Sequence, residues 1–190
     1  MKSFVILLIA FVLYTFAISE PVSARPKTLA KKEIPAVEKL DFAPNLFKSD
    51  KLFFSGQPSL ETLEWLEKQG VDLVINLRSD AENEDFTAAS FNENEQVLKL
   101  GMKYISIPID GYNSYTTENV AKFAKALDSK HKKALIHCAS CGRVSYFMMA
   151  YLVDYKNYKL ADAVEFGTQL KFTFPLEYLL KDEINWQLKK

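Results

Sequence analysis

The stretch Ala134-Leu135-Ile136-His137-Cys138-Ala139-Ser140-Cys141-Gly142-Arg143-Val144-Ser145 puts a thiol at a strand-to-helix turn. A short apolar run ends at His137-Cys138, small residues follow, and Arg143 opens a run that reads as a helix. Backbone N–H groups of such a turn converge above the thiol. The positive end of the helix strengthens their field, and a guanidinium adds a two-pronged donor for an oxyanion. Ala139, Ser140, Cys141, Gly142 and Arg143 therefore form a candidate anion cradle. The same field favours a thiolate, which marks Cys138 as a nucleophile. The competing reading is a buried structural cysteine beside a helix start.

Strands and helices alternate on the way to this turn. Leu52-Phe53-Phe54 reads as a strand entering the turn Ser55-Gly56-Gln57-Pro58. Ser59 is placed to cap a helix with Leu60, Leu63 and Leu66 on one face, which Gly70 stops. Val71 to Leu77 reads as a strand, and the acidic segment Asp80 to Glu95 as a loop leading into a helix over 92–100, closed by Gly101. Lys103 to Ile109 reads as a strand ending at Pro108-Ile109-Asp110-Gly111. Thr116 or Thr117 caps a helix carrying Val120, Phe123, Ala124 and Leu127 on one face. Residues 144–155 are apolar on nearly every side and read as a buried central helix, with further helices over 159–170 and 175–188. This order predicts an α/β fold with a mainly parallel central sheet of about four to five strands, flanked by helices on both faces. In such sheets the site gathers at the carboxyl ends of the strands, where Arg78, Asp110 and Cys138 all fall.

The N-terminus carries a different signal. Lys2 precedes an apolar run from Phe4 to Ile18, and Val22-Ser23-Ala24 supplies small residues at the positions a signal peptidase reads. The run is short for a bilayer span, so residues 1–24 read as a secretory signal peptide cleaved after Ala24, with export to the periplasm or medium. Residues 25–45, with Pro26, Pro35 and Pro44, read as an N-terminal extension that is loosely ordered or lies along the domain surface. Residues 46–190 remain for one domain.

The 24 basic and 24 acidic residues cancel, and one of each sign falls within residues 1–24. Charge gives no indication of nucleic-acid binding, and nothing after residue 24 predicts stable membrane insertion. The two cysteines, Cys138 and Cys141, form a C-x-x-C pair that in an exported protein is a bridge, a redox couple or two thiols. With only His131 and His137 to accompany them, neither a metal nor another cofactor is expected. The sequence leaves oligomeric state open.

Four motifs carry a family resemblance. Phe54-Ser55-Gly56-Gln57-Pro58, Gly70-Val71-Asp72-Leu73-Val74-Ile75-Asn76-Leu77-Arg78, Gly101-Met102-Lys103-Tyr104 with Ile107-Pro108, and His137-Cys138-Ala139-Ser140 with Arg143-Val144 resemble the beta-lactamase hydrolase-like phosphatases. These are a bacterial branch of the tyrosine and dual-specificity phosphatase superfamily, and the resemblance covers roughly residues 45–155. It implies a phosphatase-type sheet and hydrolysis of a phosphorylated protein or small molecule through a Cys138 phosphoenzyme. Arg143 would bind the phosphoryl group.

Asp110, 28 residues before the cysteine and followed by Gly111, is the general-acid candidate. His137 is expected to orient the loop by hydrogen bonding within it. Arg78 would buttress the acidic segment or meet the substrate, and Ser145 or Ser140 would stabilise the leaving thiolate. Two features depart from the usual phosphatase signature. Four residues rather than five separate Cys138 from Arg143, and Val144 stands where a Ser or Thr is usual. The short loop is also similar to that of rhodanese sulfurtransferases, which keeps a sulfurtransferase open beside a weakly catalytic anion-binding module. A thiol–disulfide oxidoreductase is a further alternative, disfavoured by Arg143 and by the upstream motifs. Cys141 is a second thiol in the loop, able to close a disulfide that would switch the enzyme off or guard it from over-oxidation.

Overall fold

The computed structural model describes residues 33–85, 87 and 90–171. Six strands, β1 (Glu38–Leu40), β2 (Leu46–Ser49), β3 (Leu52–Ser55), β4 (Leu73–Asn76), β5 (Lys103–Ser106) and β6 (Ala134–His137), form one sheet in the order β1-β2-β3-β6-β4-β5. β6 lies between β3 and β4 and is parallel to both, and β5 extends the parallel part. β1 and β2 add an antiparallel edge. The sheet exceeds the expected four to five strands because Leu46–Ser49, not read as a strand, and Glu38–Leu40, within the stretch read as an extension, add the antiparallel edge. Three residues, two of them charged, give too short and too polar a pattern to read as a strand.

The helices are α1 (Leu60–Lys68), α2 (Asp80–Glu84), α3 (Glu93–Lys99), α4 (Thr117–Leu127), α5 (Gly142–Asp154) and α6 (Leu160–Thr168). Strand alternation sorts the core into two layers. Phe54, Leu73, Ile75, Ala134 and Ile136 pack with residues of α4, α5 and α6. Their neighbours Phe53, Val74 and Leu135 pack with Leu63 and Leu66 of α1 and Val97 of α3. Both faces are thus covered, as a central parallel sheet requires. Among the described residues, no helix is long and apolar enough to cross a membrane.

The caps expected at Ser59 and at Thr116 or Thr117 form, and Asn92 caps α3 in the same way. Ser59, Asn92 and Thr116 each accept a backbone N–H from the first turn of α1, α3 and α4. Gly70 and Gly101 sit at φ +86° and +77° just past α1 and α3. α5 is buried along most of its length, as its all-round apolarity predicts. Two differences stand out. β5 stops at Ser106 rather than reaching Ile109, and the acidic segment is not all loop, because Ser79 and Glu82 close a capping box that starts α2. The helix expected over 175–188, the signal segment and residues 25–32 of the extension lie outside the described residues.

The sheet presents the 138–143 turn at its centre. β6 ends at His137, and the turn is gripped from the β3 side, where Gln57 N donates to the Ala139 carbonyl at 3.1 Å and Gly56 bridges to Ser140. Only a glycine allows this approach, since a Cβ on residue 56 would lie 2.9 Å from the Ala139 oxygen and 3.4 Å from Ser140 Cα. The Ala139 oxygen is a backbone atom and cannot rotate away. Gly56→Ala is therefore expected to cost about 1–3 kcal/mol in urea denaturation. An unchanged unfolding midpoint would show that the contact is not tight.

Candidate active site

Cys138 is buried at the start of the turn, 1% exposed, while Ala139 and Ser140 are exposed. Cys141 is the N-cap of α5 at φ +75°, a left-handed conformation unusual for a residue with a side chain. It is fully buried, and burial, with the nearby Cys138, pushes its thiol far up, so it is held protonated. Both thiols are free. The bridge that a C-x-x-C pair can form is not made.

Arg143, on the first turn of α5, is the most heavily bonded group of the turn. Nη1 donates to Glu82 Oε2 at 2.6 Å, to the Leu77 carbonyl at 3.1 Å and to the Ile109 carbonyl at 3.0 Å, while Nη2 donates to Glu82 Oε1 at 2.7 Å. The bidentate pair fixes the guanidinium plane. Burial alone would raise the Glu82 carboxyl, but the Arg143 hydrogen bonds, the Ser79 N–H and the charges of Arg143 and Arg78 bring it down to about 2. Burial lowers and Glu82 raises the Arg143 guanidinium, and the net is upward. Arg143 is therefore a fixed cation.

The other expected residues fall around it with different outcomes. Asp110 is exposed and directly follows Ile109, whose carbonyl Arg143 holds. Its own carbonyl accepts from Ser114 Oγ at 2.9 Å, shaping the loop into the 3₁₀ turn Tyr112–Ser114. Arg78 is buried and donates through Nη2 to the Glu82 carbonyl, so it buttresses the acidic segment. Ser145 is buried and donates to the Gly142 carbonyl at 2.7 Å, within its own helix turn.

His137 does not bond within the turn. Alternation points it, like Leu135, towards the α1 and α3 face. There its Nε2 lies 2.6 Å from Oε1 of Glu93 on α3, with the ring and the carboxylate both buried. The pair is close in distance but not a straight hydrogen bond.

Three contributors escaped the sequence reading. Glu82 had a signal in the Ser79-x-x-Glu82 capping box. Glu93 had a weaker one, the strand parity of His137. Tyr115 had none. It packs against Tyr146 and Phe147 of α5, and burial, opposed by Arg143 and aided by Cys138, pushes its hydroxyl up to about 12, so it lines the site as a neutral group. On the β3 side lies a recess of about 300 Å³ walled by Phe42, Pro44, Gly56, Gln57 and Pro58. Among the described residues no cluster of His, Cys, Asp and Glu has the arrangement of a metal site.

The turn thus brings together a buried cysteine at the head of a helix, a fixed arginine and the loop that carries Asp110. Comparisons with known proteins bear on the family and the fold. The beta-lactamase hydrolase-like protein of Xylella fastidiosa is 29% identical over 109 residues, 56% of this chain and 24% of that protein. The chain thus spans about a quarter of the length of the curated relatives it matches. A crystal structure of the DUF442 protein of Shewanella putrefaciens CN-32 is 30% identical, with a TM-score of 0.52 over 64% of this chain and 76% of that one. P. aeruginosa TpbA, solved in complex with pTyr, is 16% identical with a TM-score of 0.57, covering 75% of this chain and 80% of that one, and shares the fold. A family model described as "DSP-PTPase phosphatase fused to NAD+ Kinase" matches residues 37–169. With 133 residues matched by that model, the chain belongs to this DSP-PTPase phosphatase family.

Proposed function

We propose that the protein is an exported, cysteine-dependent phosphatase that hydrolyses phosphomonoesters of the tyrosine or dual-specificity type through a Cys138 phosphoenzyme. The observation that carries the reading is the Arg143 guanidinium, fixed by Glu82 and bonded to the Ile109 carbonyl one residue before Asp110. That one group joins the nucleophile's turn to the loop of the acid. The loop N–H groups and Arg143 receive the phosphoryl oxygens. Cys138 Sγ attacks phosphorus, the S–P bond forms as the P–O bond to the alcohol breaks, and the Asp110 carboxyl gives its proton to the leaving oxygen. Water then attacks phosphorus and gives a proton to the Asp110 carboxylate. The S–P bond breaks to release phosphate and the thiolate.

The family match and the complex of TpbA with pTyr support a phosphorylated substrate. Export to the periplasm rests on the signal-like residues 1–24. The comparisons favour this reading over a sulfurtransferase, to which only the short loop pointed.

Redox control by Cys141 is the finer part of the proposal. Peroxide would oxidise Cys138 to the sulfenic acid with loss of water, and attack by Cys141 sulfur would release a second water and close the disulfide. The support is two buried thiols in one turn. Burial, which holds the Cys141 thiol protonated, makes this attack slow.

Three outcomes follow from these roles. The reduced protein should turn over an aryl phosphate with inhibition by vanadate. Cys138→Ser should abolish turnover and Asp110→Asn should slow it by about 10² or more; release of no phosphate from any aryl ester would refute the reading. After peroxide, thiol reductant should restore the wild type but not Cys141→Ser, and equal recovery would remove Cys141 from the scheme. Because the Glu82 carboxyl is lowered on folding, its stabilisation is present above its ordinary value and lost as pH falls towards about 2. The difference in melting temperature between wild type and Glu82→Gln should therefore be full at neutral pH and shrink between about pH 4.5 and 2. A difference that does not change with pH would mean the pair does not act as a charge pair.

A further inference from the structure

The parallel register aligns Ser55, His137 and Asn76 across β3, β6 and β4, and Asn76 with Ser106 on β5, a polar row at the carboxyl end of the sheet. Above it stands Glu93, on the first turn of α3 and only 7% exposed. Its two oxygens reach opposite flanks of the cysteine turn. Oε1 meets His137 Nε2 at 2.6 Å, and Oε2 accepts from Gln57 Nε2 at 2.7 Å. His137 is the residue before Cys138, and Gln57 is the residue whose N–H holds the Ala139 carbonyl. One carboxylate thus ties the exits of β3 and β6 together directly beneath the nucleophile.

We propose that Glu93 is a positioning residue for the Cys138 turn, acting through His137 and Gln57; this rests on the reading of the turn as a phosphoryl-binding site. A buried carboxylate is a costly way to dock a helix, since apolar residues of similar size are commonly as stabilising or more so. What a carboxylate adds is direction, with two acceptor oxygens set at fixed places. α3 already has an apolar anchor in Val97, fully buried.

The surroundings keep Glu93 ionised despite burial. Burial would raise its carboxyl, yet the charge and contact of His137, the hydrogen bond from Gln57 and the charge of Arg78 bring it below the ordinary range. Tyr104 of β5, pushed up to about 12 by burial first and by the charge of Glu93, stays neutral and donates no competing charge. Tyr104 hydroxyl instead accepts from Asn76 Nδ2 at 2.6 Å, and Asn76 Oδ1 accepts from Arg78 N at 2.7 Å. Polar contacts beneath the turn thus form two groups, Gln57–Glu93–His137 and, on the β4–β5 side, Asn76 with Tyr104 and Arg78.

The test is Glu93→Gln, which keeps size and both partners but loses the charge. Three measurements report on the turn: the dissociation constant of inorganic phosphate by calorimetry, the rate of Cys138 carboxymethylation by iodoacetate at pH 7, and KM and kcat for an aryl phosphate. Loss of the carboxylate charge, which weakens the contact with His137 and the bond from Gln57, is expected to weaken phosphate binding and slow carboxymethylation by about tenfold each. kcat should fall more than KM rises. Gln57→Met removes one tether only and is expected to give a smaller loss of the same kind. It serves if Glu93→Gln does not fold. Wild-type phosphate affinity and wild-type carboxymethylation in a folded variant of either kind would overturn the proposal, whatever the melting temperature does. If the wild type hydrolyses no aryl ester, phosphate binding and carboxymethylation still decide the role of Glu93 separately from the phosphatase reading.

Discussion

Two carboxylate oxygens of Glu82 meet the two terminal nitrogens of Arg143 at 2.6 and 2.7 Å, and the same guanidinium reaches the carbonyls of Leu77 and Ile109. Four segments converge on one planar cation: the first turn of α5, the capping box of α2, the exit of β4 and the loop that carries Asp110. A planar fork bonded on both prongs loses little further freedom when an oxyanion arrives. A lysine in the same place would hold neither the carbonyls nor the plane. The position of Asp110 relative to Cys138 therefore depends on Arg143 as much as on the path of its own loop.

The sheet explains why such a dense set of polar groups can be held at all. β6 is the central strand, flanked by β3 and β4 in parallel register, so the turn that follows it has backbone on both sides. On the β3 side Gly56 and Gln57 bind the turn, and on the β4 side Leu77 N donates to the His137 carbonyl at 2.8 Å. Below it, apolar layers fix α4 and α5 on one face and α1 and α3 on the other. In β3, β4 and β6 the polar side chain is the last residue, Ser55, Asn76 and His137, at the carboxyl end of the sheet. Burial of Glu93, His137 and Arg78 is tolerated because each has a charged or hydrogen-bonding neighbour.

Much of this was legible in the sequence. Cys138, Arg143 and the alternating strands were visible because their signals are local: a thiol after an apolar run, caps at Ser59 and Thr116, and stops at Gly70 and Gly101. What escaped depends on contacts distant in the chain. Glu93 looks like an ordinary acidic residue in a first helical turn, and its burial follows only once strand parity points His137 at α3. Glu82 lay in an acidic run that reads as solvated loop, although its capping box is a local signal. β1 was hidden by its length and charge. The role of His137 was misplaced because a residue beside a catalytic turn was expected to bond within it, whereas the side chain of a strand's last residue follows the pleat and leaves on the opposite face.

The central claim is that Cys138 forms the bond to phosphorus in a turn organised around Arg143. The most direct measurement is acid quenching of the reduced protein during turnover of an aryl phosphate, followed by peptide mass spectrometry. The account predicts a phosphoryl group on the sulfur of Cys138. Steady release of phosphate with Cys138 unmodified, or with the phosphoryl group on another residue, would contradict it.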